Sequence, residues 1–322
     1  MRLVSSSDNI CRLFIITLAI AVTSIASSDA YVDAEEPIRD ITELLPSDAN
    51  LDAIVEHLLQ ARRNAGVTRG LALQLRDLSR ERAYMIQMAL LDKLLSDGEK
   101  LIGWKMGGTL TTTPEDTPDP IFGFVLASDE YRSGSTVPVS RLAMNTTHVE
   151  AEIGFWIGND LPGPKVNRKE LESAIAGVGG TSELISVRVR AADGSRKAST
   201  ELAITDGVAH GGIILPQKWA SLSQTNLLKE SSRVKINNKE IAKGHAKDMM
   251  NGDPLAAVMA LANSLPKYGR HLRKGQVVII GSMLASPPAK AGDRAEILFS
   301  TFDPLNVSFI EHNASADLPE RE

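Results

Sequence analysis

The sequence has a single cysteine, Cys11, among its 322 residues. Cys11 precedes an apolar run near the N-terminus, and the chain beyond it contains no thiol. A chain without thiols forms no disulfides, uses no cysteine nucleophile and holds no zinc through thiolates. The formal net charge is −5 and no basic run dominates, which argues against nucleic acid as the partner.

Several motifs of common cofactor and nucleophile sites are also missing. No Gly-x-Gly-x-x-Gly follows a strand, and the sequence has neither a phosphate-binding P-loop nor a Gly-x-Ser-x-Gly elbow. The glycine-dense segments 103–108 and 177–180 do not have the required spacing. Nucleotide cofactors are therefore not indicated.

The apolar run at residues 13–22 is too short for a conventional membrane-spanning helix, which needs about 20 residues. Arg2 and Arg12 lie ahead of its core, and small residues after it offer cleavage sites at 24–26 and 28–30. This pattern predicts a secretory signal peptide over residues 1–30 and an exported protein, periplasmic or secreted, with no stable membrane span after cleavage. An uncleaved membrane anchor is the alternative.

The next part of the chain is predicted to be a leader followed by helices. Residues 31–46 are acidic and poorly patterned, which is typical of a flexible segment. Apolar residues then recur at helical spacing over 51–65 and 80–97, each preceded by cap-type residues and followed by glycine. We expect a small helical N-terminal cap over residues 47–100.

Beyond residue 100 the pattern changes to short β-rich segments separated by Gly, Pro, Asn and Asp. Two helices interrupt them, at 168–178 and 254–268. Many strands with few helices favour a closed or rolled sheet over a doubly wound fold. The prediction is a catalytic domain over 101–312 and a flexible tail over 313–322. The predicted strands are 101–106, 149–157, 184–189, 212–215, 233–236, 277–280, 295–299 and 307–310.

The segment 147–158 is predicted to be a strand with one acidic face. Side chains alternate along a strand, so His148, Glu150 and Glu152 point the same way, with the two glutamate Cα atoms roughly 6–7 Å apart. Two like charges in a partly buried strand are relieved by solvent, a shared proton or a cation. A hard divalent metal is the favoured interpretation, and an outward-facing acidic edge is the alternative.

Two further residues extend this hypothesis. Glu183 begins an apolar strand and could complete a three-carboxylate site, whose oxygen-only ligands select magnesium, calcium or manganese. Lys105 lies in an apolar strand, either as an edge residue that reaches water or as a partly buried ammonium near anions. By contrast, His210 precedes two glycines and is interpreted as a loop residue rather than a ligand.

Five short motifs along the chain carry a resemblance. They are, in order, Gly103-Trp104-Lys105-Met106-Gly107; Val149-Glu150-Ala151-Glu152-Ile153 with Gly158-Asn159-Asp160-Leu161; Ser182-Glu183-Leu184-Ile185; Gly252-Asp253-Pro254-Leu255 with Ala260-Leu261-Ala262-Asn263; and Gly275-Gln276-Val277-Val278-Ile279-Ile280-Gly281-Ser282. Together, over about residues 51–310, they resemble the 2-keto-4-pentenoate hydratase / 2-oxo-3-hexenedioate decarboxylase branch of the fumarylacetoacetate hydrolase superfamily.

The resemblance implies an α+β fold with a mixed rolled β-sheet catalytic domain, fumarylacetoacetase C-terminal-like, and a small helical N-terminal region. It also implies a homo-oligomer and a small-molecule 2-oxo acid as substrate. By position, Glu150, Glu152 and Glu183 match the family's magnesium or manganese ligands. Lys105 matches its active-site lysine, and Asp206 matches the aspartate of an Asp-Asn pair with a catalytic role near the site.

Other positions match the substrate-binding part of the family's site or depart from it. Gly281 and Ser282 match the segment that contacts the substrate's oxo-acid end. Where hydratases of the group have Pro-Asp-Phe-Gly, this chain has Ile121 in place of the aspartate that handles the water proton, and Asp119 is the candidate substitute. Gly207 stands in place of the asparagine of the Asp-Asn pair.

The resemblance implies a divalent-metal-dependent lyase that hydrates a 2-oxo or 2-hydroxy-dienoic acid through a metal-bound enolate. Ile121 looks more like the decarboxylase side of the group. The alternatives are a 2-oxo-3-enedioate decarboxylase, an acylpyruvate-type C–C hydrolase and a non-catalytic secreted 2-oxo-acid binding protein. Export conflicts with the resemblance, because catabolism of aromatic rings by such enzymes is normally cytoplasmic.

Overall fold

The computed structural model describes residues 50–311, except for residues 76, 112, 114 and 195–197. The chain divides into two units, Met1–Glu35 and Glu36–Glu322, and every described residue belongs to the second. The predicted signal peptide, leader and tail therefore lie outside the described residues.

Both predicted N-terminal helices are confirmed, and each begins at a capping residue. Asn50 accepts a hydrogen bond from the backbone N–H of Ala53, and Ser79 accepts one from that of Arg82, which satisfies backbone donors that a helix leaves free. The α-helices in the described part of the chain are α1 (Leu51–Arg63), α2 (Gly70–Gln74), α3 (Arg80–Ser96), α4 (Arg168–Ala174), α5 (Thr200–Thr205) and α6 (Pro254–Ser264).

The strands in the described part of the chain form three sheets. They are β1 (Leu101–Gly107), β2 (Ile121–Leu126), β3 (Glu130–Arg132), β4 (Thr136–Pro138), β5 (Thr146–His148), β6 (Glu152–Ile157), β7 (Ile175–Ile185), β8 (His210–Leu215), β9 (Ser231–Ile236), β10 (Lys239–His245), β11 (Val277–Ile279), β12 (Pro288–Lys290), β13 (Arg294–Phe299) and β14 (Leu305–Ile310). Seven strands pair in the order β2-β1-β11-β6-β7-β8-β3, five in the order β10-β9-β13-β14-β4, and β12 pairs with β5.

The seven-stranded sheet mixes parallel and antiparallel pairs and curls until β2 packs against β8. A Cβ atom at Gly123 of β2 would lie 2.2 Å from the carbonyl oxygen of Gly207, so the close approach requires glycine. The predicted α+β fold with a mixed rolled sheet is confirmed.

One face of the curled sheet packs against the helices. Trp104, Phe124 and Phe155 are fully buried there in one cluster with apolar residues of α1, α3 and α6. The helices and the sheet thus share a core, and the predicted boundary near residue 100 marks a change of secondary structure within it. The predicted domain limits themselves stay a prediction.

Three predicted elements differ from the structure. The segment 147–158 is two strands, because β5 pairs with β12, where the N–H of Val149 donates to Pro287, whereas the N–H of Glu150 donates to Glu183 of β7. Of the strand predicted over 184–189, only residues 184 and 185 lie in a strand, at the end of β7. The helix predicted over 168–178 ends at Ala174 and β7 begins at Ile175. Pairing with β6 overrides the local helical pattern there.

Candidate active site

The sheet register brings three of the predicted site residues to one face. Lys105 is opposite Ile279, and Ile279 is opposite Gly154 in β6. Glu152 is two residues from Gly154 and therefore shares its face. Across the next pair Glu152 is opposite Thr181, which in turn shares a face with Glu183. The alternation of side chains thus places Lys105, Glu152 and Glu183 together inside the curled sheet.

Glu150 joins this group because the register of β6 with β7 continues beyond the end of β6, where Val149 bridges Leu184. Its backbone N–H donates to the carbonyl oxygen of Glu183 at 2.9 Å, which holds residue 150 beside β7. Glu150, Glu152 and Glu183 each offer a carboxylate oxygen within 4.8 Å of the others. The three carboxylates that the sequence analysis grouped together do form one cluster.

Each carboxylate of the cluster has at least one oxygen held by the protein. Oε1 of Glu150 accepts from the hydroxyl of Ser286 at 2.6 Å, and Oε2 of Glu152 accepts from the backbone N–H of Gly281 at 2.7 Å. Oε1 of Glu183 lies 2.7 Å from Nδ1 of His210. The opposite oxygen of Glu152, Oε1, is buried without a hydrogen-bond partner among the described residues. A cation would satisfy such an atom.

Lys105 is the counter-charge within the cluster. Its side chain is 5% exposed, and Nζ lies 3.1 Å from Oε2 of Glu183 and donates to the carbonyl oxygen of Val208 at 3.1 Å. Of the two interpretations of Lys105, the buried ammonium is therefore the one that the structure has. Three carboxylates and one ammonium leave an excess of negative charge that a divalent cation would neutralise.

Burial and repulsion raise the pKa of two of the carboxylates, whereas Lys105 and His210 lower that of the third. Burial, followed by the charge of Glu183, raises the pKa of Glu150 to about 7. Burial also raises the pKa of Glu152 well above its usual value, with Glu183 and Glu150 adding to the effect. For Glu183 burial acts the same way, but Lys105 and the hydrogen bond from His210 outweigh it and lower the pKa. In the absence of metal, Glu183 therefore favours its ionised form, whereas Glu150 and Glu152 take up a proton more readily than an ordinary glutamate.

The ammonium of Lys105 is held in its charged form. Burial would lower the pKa of Lys105, but Glu183, Glu150 and Glu152 together outweigh burial and raise that pKa. Lys105 is therefore protonated at neutral pH in this arrangement. It can donate a proton or balance negative charge, and in this state it is no base.

A turn over residues 206–210, the 206–210 turn, supplies two contacts to the site. Gly207, Val208 and Ala209 are consecutive left-handed residues with φ values of 76°, 60° and 56°, a conformation that is strained for a β-branched residue such as Val208. The turn carries the Val208 carbonyl to Lys105 and the His210 ring to Glu183. It is built into the site rather than being a connecting loop.

Asp206 begins this turn but faces away from the carboxylates. Its Oδ2 accepts from Arg188 at 2.7 Å and its Oδ1 from Arg62 at 3.0 Å, and the aspartate is buried. Both oxygens are thus occupied by guanidinium groups. The catalytic role expected of Asp206 stays a prediction, and its contacts suit an anchor better than a proton carrier.

Gly281 and Ser282 border the cluster. Gly281 has a φ of 95°, and its N–H is the group that holds Glu152. A Cβ atom at position 281 would lie 2.3 Å from Oγ1 of Thr109, so the segment requires glycine there. The Ser282 hydroxyl donates to the carbonyl oxygen of Leu284, which leaves the backbone as this segment's simplest means of contacting a ligand.

Asp119 and Ile121 occupy different surroundings. The side chain of Asp119 is 67% exposed and forms a two-point ion pair with Arg80, which lowers the pKa of the aspartate. Ile121 is buried and shares the face of Lys105, because Lys105 is opposite Gly123 in the same strand pair. A Cβ atom at Gly107 would touch both Ile121 and Val208 at 3.5 Å. The wall of the site next to Lys105 is therefore apolar at position 121.

Two of the residues that hold the glutamates, His210 and Ser286, were not predicted from the sequence. The interpretation of His210 as a mere loop residue is wrong, because its ring is fully buried against Glu183. Ser286 lies on no predicted element and was not singled out. Neither residue forms a local motif with its glutamate: 27 positions separate His210 from Glu183 and 136 separate Ser286 from Glu150.

Comparison with known proteins supports the resemblance. The chain is 26% identical over 258 residues to a 2-hydroxyhexa-2,4-dienoate hydratase from Comamonas testosteroni, covering 80% of this chain and 96% of that protein. It is 25% identical to a 2-oxo-hept-4-ene-1,7-dioate hydratase from Escherichia coli, covering 80% and 97%. The predicted resemblance is confirmed. No family model matches the chain.

A solved structure extends the likeness to the fold. The 4-oxalocrotonate decarboxylase from Pseudomonas putida G7, complexed with magnesium and adipate, superposes with a TM-score of 0.74 at 24% identity, covering 81% of this chain and 97% of that one. The chain thus shares the fold of that decarboxylase.

The prediction of export is wrong in the light of these relatives, which are cytoplasmic catabolic enzymes. The pattern that suggested a signal peptide falls in residues 1–30, outside the described residues. Among residues 50–311, as far as they are described, no helix is both long enough and apolar enough to cross a membrane.

Proposed function

We propose that the protein is a divalent-metal-dependent lyase that hydrates a 2-oxo or 2-hydroxy-dienoic acid, in the manner of a 2-keto-4-pentenoate hydratase. The observation that carries the proposal is the cluster of buried Glu152 and Glu183 with partly buried Glu150, beside Lys105. The Comamonas and Escherichia relatives are hydratases of such acids, which supports the same reaction type.

Glu150, Glu152 and Glu183 are the residues that would hold the metal. A donor set made only of oxygens suits Mg²⁺ or Mn²⁺, and the unpartnered Oε1 of Glu152 fits a cation. When bound, the cation supplies Lewis-acid stabilisation of negative charge on the substrate's oxygens. The Gly281-Ser282 backbone, which holds Glu152 in place, is proposed to contact the oxo-acid end of the substrate.

Lys105 would act as a proton donor and as a fixed positive charge. Its ammonium lies inside the curled sheet, and its contacts with Glu183 and Val208 fix its position. A buried cation placed before the reaction stabilises charge that develops on a substrate more strongly than a solvated one does. Delivery of a proton from Nζ to the substrate is the step that requires Lys105.

Decarboxylation is the second candidate, and Ile121 favours it. Addition of water needs a group that positions and deprotonates the water, and an isoleucine supplies none. Asp119 is exposed and paired with Arg80, so its role as the substitute stays a prediction. Loss of carbon dioxide from a 2-oxo-3-enedioate adds no water to the substrate and therefore requires no water-binding group at position 121.

The test is turnover of 2-hydroxypenta-2,4-dienoate and of 2-oxo-3-hexenedioate, each with Mg²⁺, with Mn²⁺ and with chelator. Metal-dependent hydration of the first supports the proposal, and carbon dioxide release from the second supports the alternative. Ile121→Asp is expected to raise hydration relative to decarboxylation, with Ile121→Val as the matched control. No metal-dependent turnover of either acid would contradict both.

We also propose that the protein forms a homo-oligomer. Trp156, 41% exposed, lies beside Trp219 with ring centroids 6.5 Å apart. Leu228, 48% exposed, lines a groove of about 700 Å³. Aromatic residues such as tryptophan are enriched at protein–protein interfaces, which supports the proposal. Light scattering during gel filtration tests the proposal, and a monomer at micromolar concentration would contradict it.

A further inference from the structure

A buried histidine contacts one of the proposed metal ligands. The ring of His210 is fully buried, and its Nδ1 lies 2.7 Å from Oε1 of Glu183. An ionised carboxylate only accepts hydrogen bonds, so Nδ1 carries the proton and donates it to Glu183. Nε2 is buried with no hydrogen-bond partner in the described part of the chain. The polar contact of this ring is therefore directed at Glu183.

The backbone that carries His210 is fixed on both sides. Ahead of it lie the three left-handed residues of the 206–210 turn. After it, a Cβ atom at Gly211 would lie 2.6 Å from the Cβ of Ser186, so the chain has no room to shift. The carbonyl oxygen of His210 itself accepts from Arg188 at 2.5 Å. These contacts determine where the ring stands.

Arg188 belongs to a buried charged group that reaches helix α1. Asp206 joins Arg188 to Arg62, which lies on α1. Arg62 also donates to the carbonyl oxygen of Asp206 at 2.9 Å, and its guanidinium lies 4.8 Å from the ring centroid of Phe124. A buried charge group of this kind is kept in one geometry by its hydrogen bonds. The group therefore links α1 to the turn that carries His210.

We propose that His210 is a positioning residue for Glu183, and that Arg62, Asp206 and Arg188 fix the backbone from which His210 acts. The ring holds Oε1 of Glu183 and leaves Oε2 on the side of Lys105. The proposal rests on the metal-dependent function and adds to it residues that touch neither metal nor substrate. It also gives Asp206 a role that its two arginine contacts explain.

The expected effect is on metal affinity. Without the N–H of His210, the Glu183 carboxylate loses the contact at Oε1 and keeps that of Oε2 with Lys105, so part of the order needed for metal binding is lost. Loss of a hydrogen bond to a metal ligand commonly weakens metal binding by roughly 10- to 100-fold. An amide at the position of Nδ1 is expected to restore the contact.

The experiment measures Mg²⁺ binding by calorimetry for the wild type and three variants. His210→Phe keeps a ring without a donor, His210→Asn places an amide N–H near the position of Nδ1, and His210→Gln is the matched control whose amide reaches the position of Nε2 instead. We expect affinity to fall roughly 10- to 100-fold in the Phe and Gln variants and to stay within about threefold of wild type in the Asn variant. kcat at saturating metal should follow the same order.

The outcomes separate this proposal from the proposed function. If the wild type binds no metal, the metal-dependent function fails and the positioning role fails with it. If the wild type binds metal and the Phe and Gln variants bind it equally well, the positioning role alone is overturned. If His210→Phe does not fold, the contrast between the Asn and Gln variants decides, since equal affinities in those two would overturn the proposal.

A double-mutant cycle tests whether Arg62 acts on metal binding through His210. Arg62→Met is expected to weaken Mg²⁺ binding by about 2- to 10-fold when His210 is present, and to have no further effect in the His210→Phe background. Equal effects in both backgrounds would show that Arg62 does not act through His210 and would overturn that part of the proposal.

Discussion

The stability of the metal-free protein is expected to fall as the pH rises from about 5.5 to 8, because of Glu150. The pKa of Glu150 is about 7 in the folded protein, against a usual value of 4.5. Between these two values the folded state binds more protons than the unfolded state, and stability then decreases with rising pH. Glu183 and Lys105 add nothing in this window, because the pKa of Glu183 is lowered and that of Lys105 is raised.

The size of the effect follows from the same value. At about 1.36 kcal/mol per pKa unit, the difference corresponds to roughly 3 kcal/mol for Glu150 alone. Glu150 is partly exposed, and solvent screening reduces the interaction, so about 1–2 kcal/mol is the expected loss. Glu152 changes in the same direction. Bound Mg²⁺ should remove the loss, because it stabilises the ionised carboxylates.

The assay is urea unfolding in chelator at pH 5.5 and pH 8, for the wild type and for Glu150→Gln. The glutamine variant cannot titrate at position 150 but retains every histidine, so it controls for the other groups that titrate in this range. The stability of the wild type relative to the variant should fall by about 1–2 kcal/mol between the two pH values. An unchanged difference would refute the argument that Glu150 is held partly protonated.

Three further predictions concern single substitutions. Lys105→Met should keep Mg²⁺ binding by calorimetry but lower turnover at least about 100-fold, because it removes the proton donor; an active variant would exclude Lys105 from the mechanism. Gly123→Ala should destabilise the protein by more than about 2 kcal/mol in thermal unfolding, because its Cβ would collide with the Gly207 carbonyl 2.2 Å away. Asp119→Asn should leave kcat/KM unchanged and lower the free energy of unfolding by less than about 1 kcal/mol, because the exposed ion pair with Arg80 contributes little to stability. A large loss of activity would show that Asp119 takes part in catalysis.

The carboxylates and Lys105 were predictable from sequence because each conflicts with its local surroundings. A charged residue in an apolar strand needs a partner. The five motifs that carry the family resemblance include the same four residues. Their assembly into one cluster then follows from sheet register, in which side-chain alternation relates Lys105, Glu152 and Glu183. The rolled sheet was likewise predictable from many short strands with few helices.

The groups that hold the carboxylates could not be predicted in this way. His210 and Ser286 are polar residues next to glycine or proline, a setting in which loop residues are common. Their partners are far away in sequence, and no periodicity of their own segments relates them to Glu183 or Glu150. Only the tertiary fold brings them into contact: β8 pairs with β7, where His210 is opposite Ile185, and the chain after β11 returns past Glu150.

Sheet register and one departure from regular backbone together place the groups of this cluster. The register of β6 with β7 continues beyond the end of β6, since Glu152 is opposite Thr181, Val149 bridges Leu184, and the N–H of Glu150 donates to the carbonyl oxygen of Glu183. The left-handed 206–210 turn costs about 1–3 kcal/mol of strain at Val208, yet it alone directs one carbonyl at Lys105 and one imidazole at Glu183. The ion pairs of Asp206 with Arg62 and Arg188 oppose that strain from the far side of the turn. The strained backbone and the buried charges behind it therefore stabilise one geometry, in which the three carboxylates face one another.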